Sequence, residues 1–282
     1  MGGLGVWAAV SCGKDSLLPD GGTSGGGDGG GGQSGGGGAG GGDVIASAFA
    51  VGSGAFLDGR TYADPFEAGP GSTCLVYPAS TEGPCHSNTY HRQELSDGLV
   101  GLPTRLELLV LDTACNPMPG AIVEVWYASP AGTYSRAAEA IDAGTGYGGS
   151  LADLNVGFCT GNDATALGSK WLRGYQIAGD DGRVTLDGIF PGWYAGRTTH
   201  VHFIITANGI RFVTSQLFFD EALTTSVYTQ HGAYAARGDK DTSNARDNVI
   251  REANLSVSSA TMGFSQQSDG ALVCWKSLVI AA

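Results

Sequence analysis

The strongest constraint on the fold is a period of two. It runs through Ala121-Ile122-Val123-Glu124-Val125-Trp126 and returns in His200-Val201-His202-Phe203. Successive side chains on a strand point to opposite faces, so Val201 and Phe203 turn toward a core while His200 and His202 share the other face. Segments rich in β-branched, leucine and aromatic residues also run from Thr104 to Leu111, Arg183 to Leu186, His200 to Thr206 and Leu272 to Ile280. Turn sequences such as Gly179-Asp180-Asp181-Gly182 separate them. No long apolar period of 3.6 residues competes. The pattern predicts an all-β chain folded as an antiparallel β-sandwich. Residues Arg136 to Lys170, small and polar, are expected to form a long loop over the functional face.

Three stretches of different composition divide the chain. Residues 46–282 hold enough apolar sequence for one good-sized core. Residues 13–45, almost continuously glycine between Gly21 and Gly42, cannot bury a core and read as a flexible linker. A phosphate-binding loop is a poor account of this run, which lacks the lysine and the strand-to-helix setting such loops need. Residues 1–12 contain a short, mildly apolar run ending Ala9-Val10-Ser11-Cys12, similar to the end of a bacterial lipoprotein signal. No Lys or Arg precedes the run, and Ala9 stands where leucine is favoured. On that reading Cys12 is acylated, the linker tethers the domain to a membrane, and the domain is extracytoplasmic. The plainer alternative is an unstructured N-terminus with an incidental cysteine.

Charge and cysteine usage narrow the partners. With 15 basic against 27 acidic residues the net charge is -12, a sign that repels nucleic acid. Besides Cys12 the cysteines are Cys74, Cys85, Cys115, Cys159 and Cys274, without the paired short spacing of a zinc knuckle. In an oxidising compartment these five permit two disulfides and leave one thiol, with the partners open.

The histidine pair is a ready chelate, though imidazole suits several metals. Tyrosines nearby narrow the choice. A phenol, with a pKa of ~10, binds well only to a strongly Lewis-acidic ion that displaces its proton. Tyr194 precedes the histidines in Phe190-Pro191-Gly192-Trp193-Tyr194. Tyr134 follows a strand in Gly132-Thr133-Tyr134-Ser135, where Gly132 can supply a presenting turn.

These motifs, with Trp171-Leu172-Arg173-Gly174 between them, resemble the intradiol ring-cleavage dioxygenases, catechol and protocatechuate 3,4-dioxygenase-like, in their extracytoplasmic branch. The resemblance starts at Tyr77-Pro78-Ala79-Ser80-Thr81-Glu82-Gly83-Pro84 and runs through Ser215-Gln216-Leu217 to Asp269-Gly270-Ala271-Leu272-Val273. It implies a β-sandwich in which Tyr134, Tyr194, His200 and His202 hold a mononuclear non-haem Fe(III). It further implies a catechol-type substrate that displaces Tyr194 from the metal, leaving that phenol to accept a substrate proton. Arg197 would stabilise negative charge on the ring, with Gln216 beside it. Reaction with O2 would cleave the ring between its two hydroxyl-bearing carbons, giving a muconate-type dicarboxylic acid. The family usually places an aromatic residue after Thr-Glu-Gly-Pro. Cys85 and His86 stand there instead, which bears on pocket shape and leaves the four ligand positions untouched.

Two other readings compete. A β-sandwich pseudoenzyme could bind aromatic or carbohydrate ligands without turnover. A zinc hydrolase built on His200 and His202 would lack the usual third ligand and a general base. The remaining histidines, His86, His91 and His231, read as surface or loop residues, and Trp126 and Trp193 as core packing. Ring substituents and oligomeric state depend on surfaces that motif spacing does not describe.

Overall fold

The computed structural model describes residues 48–69, 74–137 and 154–282, all within one compact unit, Gly38–Ala282. The Cys12 signal and the whole 13–45 linker lie outside the described residues, as does the centre of the 136–170 segment. Eight strands form two sheets. In chain order they are β1 (Pro103–Leu111), β2 (Ile122–Trp126), β3 (Arg173–Ile177), β4 (Arg183–Ile189), β5 (His200–Ala207), β6 (Ile210–Phe218), β7 (Gly263–Gln266) and β8 (Leu272–Val279). One sheet has the order β4-β1-β8-β7 and the other β3-β2-β5-β6.

The expected sandwich is present. Its core joins inward residues of both sheets, Leu106, Leu108, Val184, Leu186 and Leu278 from the first against Val123, Val125, Val201, Phe203 and Leu217 from the second. Each set alternates along its strand, so hydrophobic burial fixes the pairing register; a slip of one residue would expose an entire row. One pairing departs from the antiparallel expectation, because β1 and β8 run parallel, from Thr104 opposite Leu272 to Leu111 opposite Val279. Parallel neighbours need a long crossover, and the six other strands lie between these two in the chain.

Helices are short. They are α1 (Val156–Thr160), α2 (Ala164–Leu167), α3 (Glu221–Gln230), α4 (Gly232–Ala235), α5 (Asn248–Glu252) and α6 (Val257–Ala260). The first two occupy part of the segment expected to be a continuous loop. Asn155 and Asp163 begin them, their side-chain oxygens accepting from Phe158 N and Ala166 N. The longest, α3, is not visible as an apolar stripe because threonines and serine share its buried and exposed faces. Among the described residues no helix is long and apolar enough to cross a membrane.

The disulfides are Cys74–Cys115 and Cys85–Cys159, and Cys274 is a buried free thiol. Two bridges and one thiol match the number the sequence allows. Since Phe203 is fully buried between the sheets, Phe203→Ala is expected to lower unfolding free energy by about 3–5 kcal/mol. Urea denaturation would read this as a lower midpoint at an unchanged slope.

Candidate functional site

The outer face of the second sheet carries the site, and strand register assembles its floor. Arg173 of β3 pairs with Trp126 of β2, Trp126 with His202 of β5, and His202 with Gln216 of β6. Strand alternation sends all four away from the sandwich core, as one row across the sheet. His202 lies flat against the Trp126 indole, with ring centroids 4.9 Å apart and planes 10° from parallel. His200, two residues earlier, shares the face, with its Nε2 3.1 Å from Nε2 of His202.

Two loops bring the tyrosines above this row. After β2 the chain reverses through Ser129–Thr133, closed by Gly132 N donating to Ser129 O at 2.7 Å and Ser129 N to Thr133 O at 2.8 Å. Gly132 has a φ of 80°, and a Cβ there would lie 2.2 Å from Trp193 O, so the turn excludes any side chain. Tyr134 emerges from it with its hydroxyl 3.3 Å from His200 Nε2. The turn from Tyr194 to Arg197 is closed by Arg197 N donating to Tyr194 O at 3.2 Å. It places the Tyr194 hydroxyl 3.1 Å from the same nitrogen. Tyr134, Tyr194, His200 and His202 therefore converge on one point.

Burial differs among the four. Tyr134, His200 and His202 are sealed at 2 to 3% exposure, whereas Tyr194 is half-buried at the open side. Burial pushes both phenols above their ordinary range; Tyr194 adds to the effect at Tyr134, while Arg197 opposes it at Tyr194. Burial and nearby positive charge push both imidazoles well below theirs. Left to themselves, all four groups stay neutral.

The proton count identifies what this arrangement suits. His200 Nδ1 lies 2.6 Å from Thr198 O, a contact that requires a proton on Nδ1 and leaves a lone pair on Nε2. His202 Nδ1 is buried without a hydrogen-bond partner. A proton on Nδ1 of His202 would set two Nε2 lone pairs against each other, and a proton on Nε2 would orphan a buried acceptor. A cation among the two nitrogens and two phenol oxygens would take up both Nε2 lone pairs, so the residues fit a metal with mixed nitrogen and oxygen preference. Among the described residues no group of three or more His, Cys, Asp or Glu could hold a metal; here the phenols complete the donor set.

A family model for dioxygenases matches residues 77–266. The chain belongs to the intradiol ring-cleavage dioxygenases. It is similar to the crystal structure of an intradiol ring-cleavage dioxygenase from Tetranychus urticae, with 25% identity and a TM-score of 0.59, over 73% of this chain and 95% of that one. Another dioxygenase crystal structure gives 26% identity and a TM-score of 0.58, over 73% of this chain and 94% of the other. No curated protein matches.

In this intradiol dioxygenase chain, Arg197 stands at the open side with its Nη1 3.4 Å from the Tyr194 hydroxyl, and its Nη2 donates to Gln216 Oε1. Gln216 in turn donates to Thr81 O at 3.1 Å. Asp247 was not among the expected site residues, yet its fully buried carboxylate accepts from Arg197 Nε at 2.8 Å and Thr198 N at 3.0 Å. The same carboxylate begins α5 by accepting from Val249 N at 2.9 Å. Burial alone would raise its pKa, and the hydrogen bond and charge of Arg197 outweigh burial and hold it below the usual range. Its signal in the sequence is an ordinary Asp-Asn helix start.

Two expectations change. His86 is not a surface residue: it is 4% exposed, with Nδ1 against Glu82 and Nε2 2.5 Å from Glu124, and it stacks on the far side of Trp126 at 4.3 Å. Strand parity could have found Glu124 and Trp126, since both alternate with the inward Val123 and Val125. His231 is also buried, because its Nδ1 accepts from Ala233 N at the start of α4 and its Nε2 lies 2.9 Å from Ala50 O. Trp126 is buried as expected, yet in a cluster of its own with Tyr134 and Ile204, where it backs His202. His91 is exposed, as expected.

Asp247→Ala would leave the Arg197 guanidinium without its carboxylate. Loss of such a largely buried pair should cost about 3 kcal/mol of stability, measured by urea unfolding of the metal-free protein.

Proposed function

We propose that the protein cleaves a catechol-type ring between its two hydroxyl-bearing carbons with O2, using a single Fe(III) held by Tyr134, Tyr194, His200 and His202. Intradiol dioxygenases act on catechols, and the finer assignment rests on one observation. Two phenol oxygens and two imidazole nitrogens, all neutral by burial, gather on one point, with both hydroxyls and His202 Nε2 at 3.1 to 3.3 Å from His200 Nε2, a mixed oxygen and nitrogen donor set. Two phenols favour a trivalent, strongly Lewis-acidic ion over zinc. When bound, the ferric ion makes the coordinated catechol reactive toward O2.

The chain's own residues divide the remaining work. Three donors are sealed and one stands at the mouth, so Tyr194 is the group free to swing aside for substrate and take up a substrate hydroxyl proton. Arg197 cannot surrender its proton, so it answers negative charge on the ring by electrostatic stabilisation. Asp247 and Gln216 fix the guanidinium from two sides, which spares reorganisation during the reaction. Tyr134, His200 and His202, packed against Trp126 and one another, stay in place.

We further assign the domain to an extracytoplasmic setting, tethered through Cys12 and the 13–45 linker. The two disulfides support an oxidising compartment. Labelling with a radioactive fatty acid in a bacterial host, compared with Cys12→Ala, tests the tether.

Iron-loaded protein is expected to be red to burgundy through phenolate-to-iron charge transfer, and Tyr134→Phe should lose most of this colour. An oxygen electrode with catechol, hydroxyquinol and protocatechuate then measures turnover. Binding of these compounds without oxygen uptake would favour a non-catalytic aromatic-binding protein, and a colourless zinc protein would overturn the assignment. Arg197→Met should keep the colour while kcat falls by about 10²–10³.

A further inference from the structure

The Cys85–Cys159 disulfide sits beside the donor cluster. Its Cα atoms are 5.6 Å apart across a sequence separation of 74, and its cysteines are 2% and 1% exposed. Each cysteine belongs to a piece of backbone that touches a different candidate donor. On the Cys85 side, Gly83 packs on the imidazole edge of His202, where a Cβ would come 3.2 Å from Cε1. The next residue, His86, stacks on Trp126, whose indole stacks on His202. On the other side, Cys159 O accepts the Tyr134 amide at 2.7 Å, and the Phe158 ring meets Tyr194 edge-on at 6.0 Å. Asn155 N donates to Pro84 O at 3.1 Å, so the two pieces also meet through backbone. The sulfurs share an apolar cluster with Trp126 and Tyr134.

We propose that the Cys85–Cys159 disulfide is a positioning crosslink that holds Tyr134 and His202 at metal-binding separation before any metal arrives. The inference rests on the ferric reading of the site. Donors gathered from a strand and a separate loop can drift apart unless the backbone prevents it, and a tie between the segments behind Tyr134 and His202 opposes that motion. Preorganisation of this kind appears as affinity, because binding no longer has to gather the donors.

The second disulfide supplies the control. Cys74–Cys115, with a sequence separation of 41, packs through Cys74 on Phe66, Leu109, Leu111 and Val279, away from every donor. Loop-closure entropy grows only with the logarithm of loop length, so opening either bridge should lower global stability to a similar degree. Only one should disturb the site.

The test compares Cys85→Ala/Cys159→Ala with Cys74→Ala/Cys115→Ala in the full chain. Ferric iron affinity is measured by chelator competition, and hydrogen exchange at the Tyr134 amide is followed by mass spectrometry on metal-free protein. Loss of the first bridge is expected to weaken iron binding by about 10–100-fold, the range seen when groups supporting a metal's ligands are removed, and to speed exchange at Tyr134. Loss of the second should leave both near wild type, while urea midpoints fall alike. Equal effects of the two variants, or unchanged iron affinity without the first bridge, would overturn the inference. Should the first variant not fold, Cys85→Val/Cys159→Ala restores apolar volume and is judged by the same outcomes. Failure of wild-type protein to take up ferric iron would count against the ferric reading, and Tyr134 exchange in metal-free protein would still decide the crosslink.

Discussion

The register of β3-β2-β5-β6 is the constraint on which the site depends. Because one face of this sheet must be buried against the other sheet, the apolar residues Val123, Val125, Val201 and Phe203 leave no freedom in how the strands align. The same alignment places Arg173, Trp126, His202 and Gln216 in one row on the outer face. Hydrophobic burial on one side thus sets side-chain positions on the other. A loop-built site would need its own stabilisation; here the floor comes with the fold.

What stands on that floor is held under electrostatic tension. Phenols are kept protonated and imidazoles unprotonated by the same desolvation that packs them. Nearby, the Arg173 guanidinium is buried at 1% exposure, donates to Ser135 O at 2.7 Å, and has its pKa pushed down to about 10 by burial. On the open side Arg197 has a carboxylate to answer its charge, and Arg173 forms no carboxylate ion pair among the described residues. The molecule thus concentrates fixed positive charge around phenols, which suits a centre whose donors become anionic only when a metal binds.

Much of this was legible in the sequence because it follows from parity and turn chemistry. Period two put His200 and His202 together, and Gly132 marked the turn that presents Tyr134. Arg197 and Gln216 were pointed to by the family resemblance alone. Asp247 was not legible, since nothing local distinguishes a carboxylate that begins a helix from one that also grips an arginine 50 positions away in the chain. His86 failed for a related reason: its burial comes from Glu124 and Trp126, which reach it only after the sheet forms. The helices α1 and α2 escaped notice because five- and four-residue segments carry too little periodicity to register.

The parallel pairing of β1 with β8 bears on how the molecule comes into being. Strand 272–279 fills an interior place in its sheet, between β1 and β7, so neither neighbour has that edge covered until those residues have left the ribosome. Such a long-range closure is slow to form and exposes unpaired strand edges meanwhile. A polypeptide that cannot complete its architecture early stays open for longer before the final shape is reached.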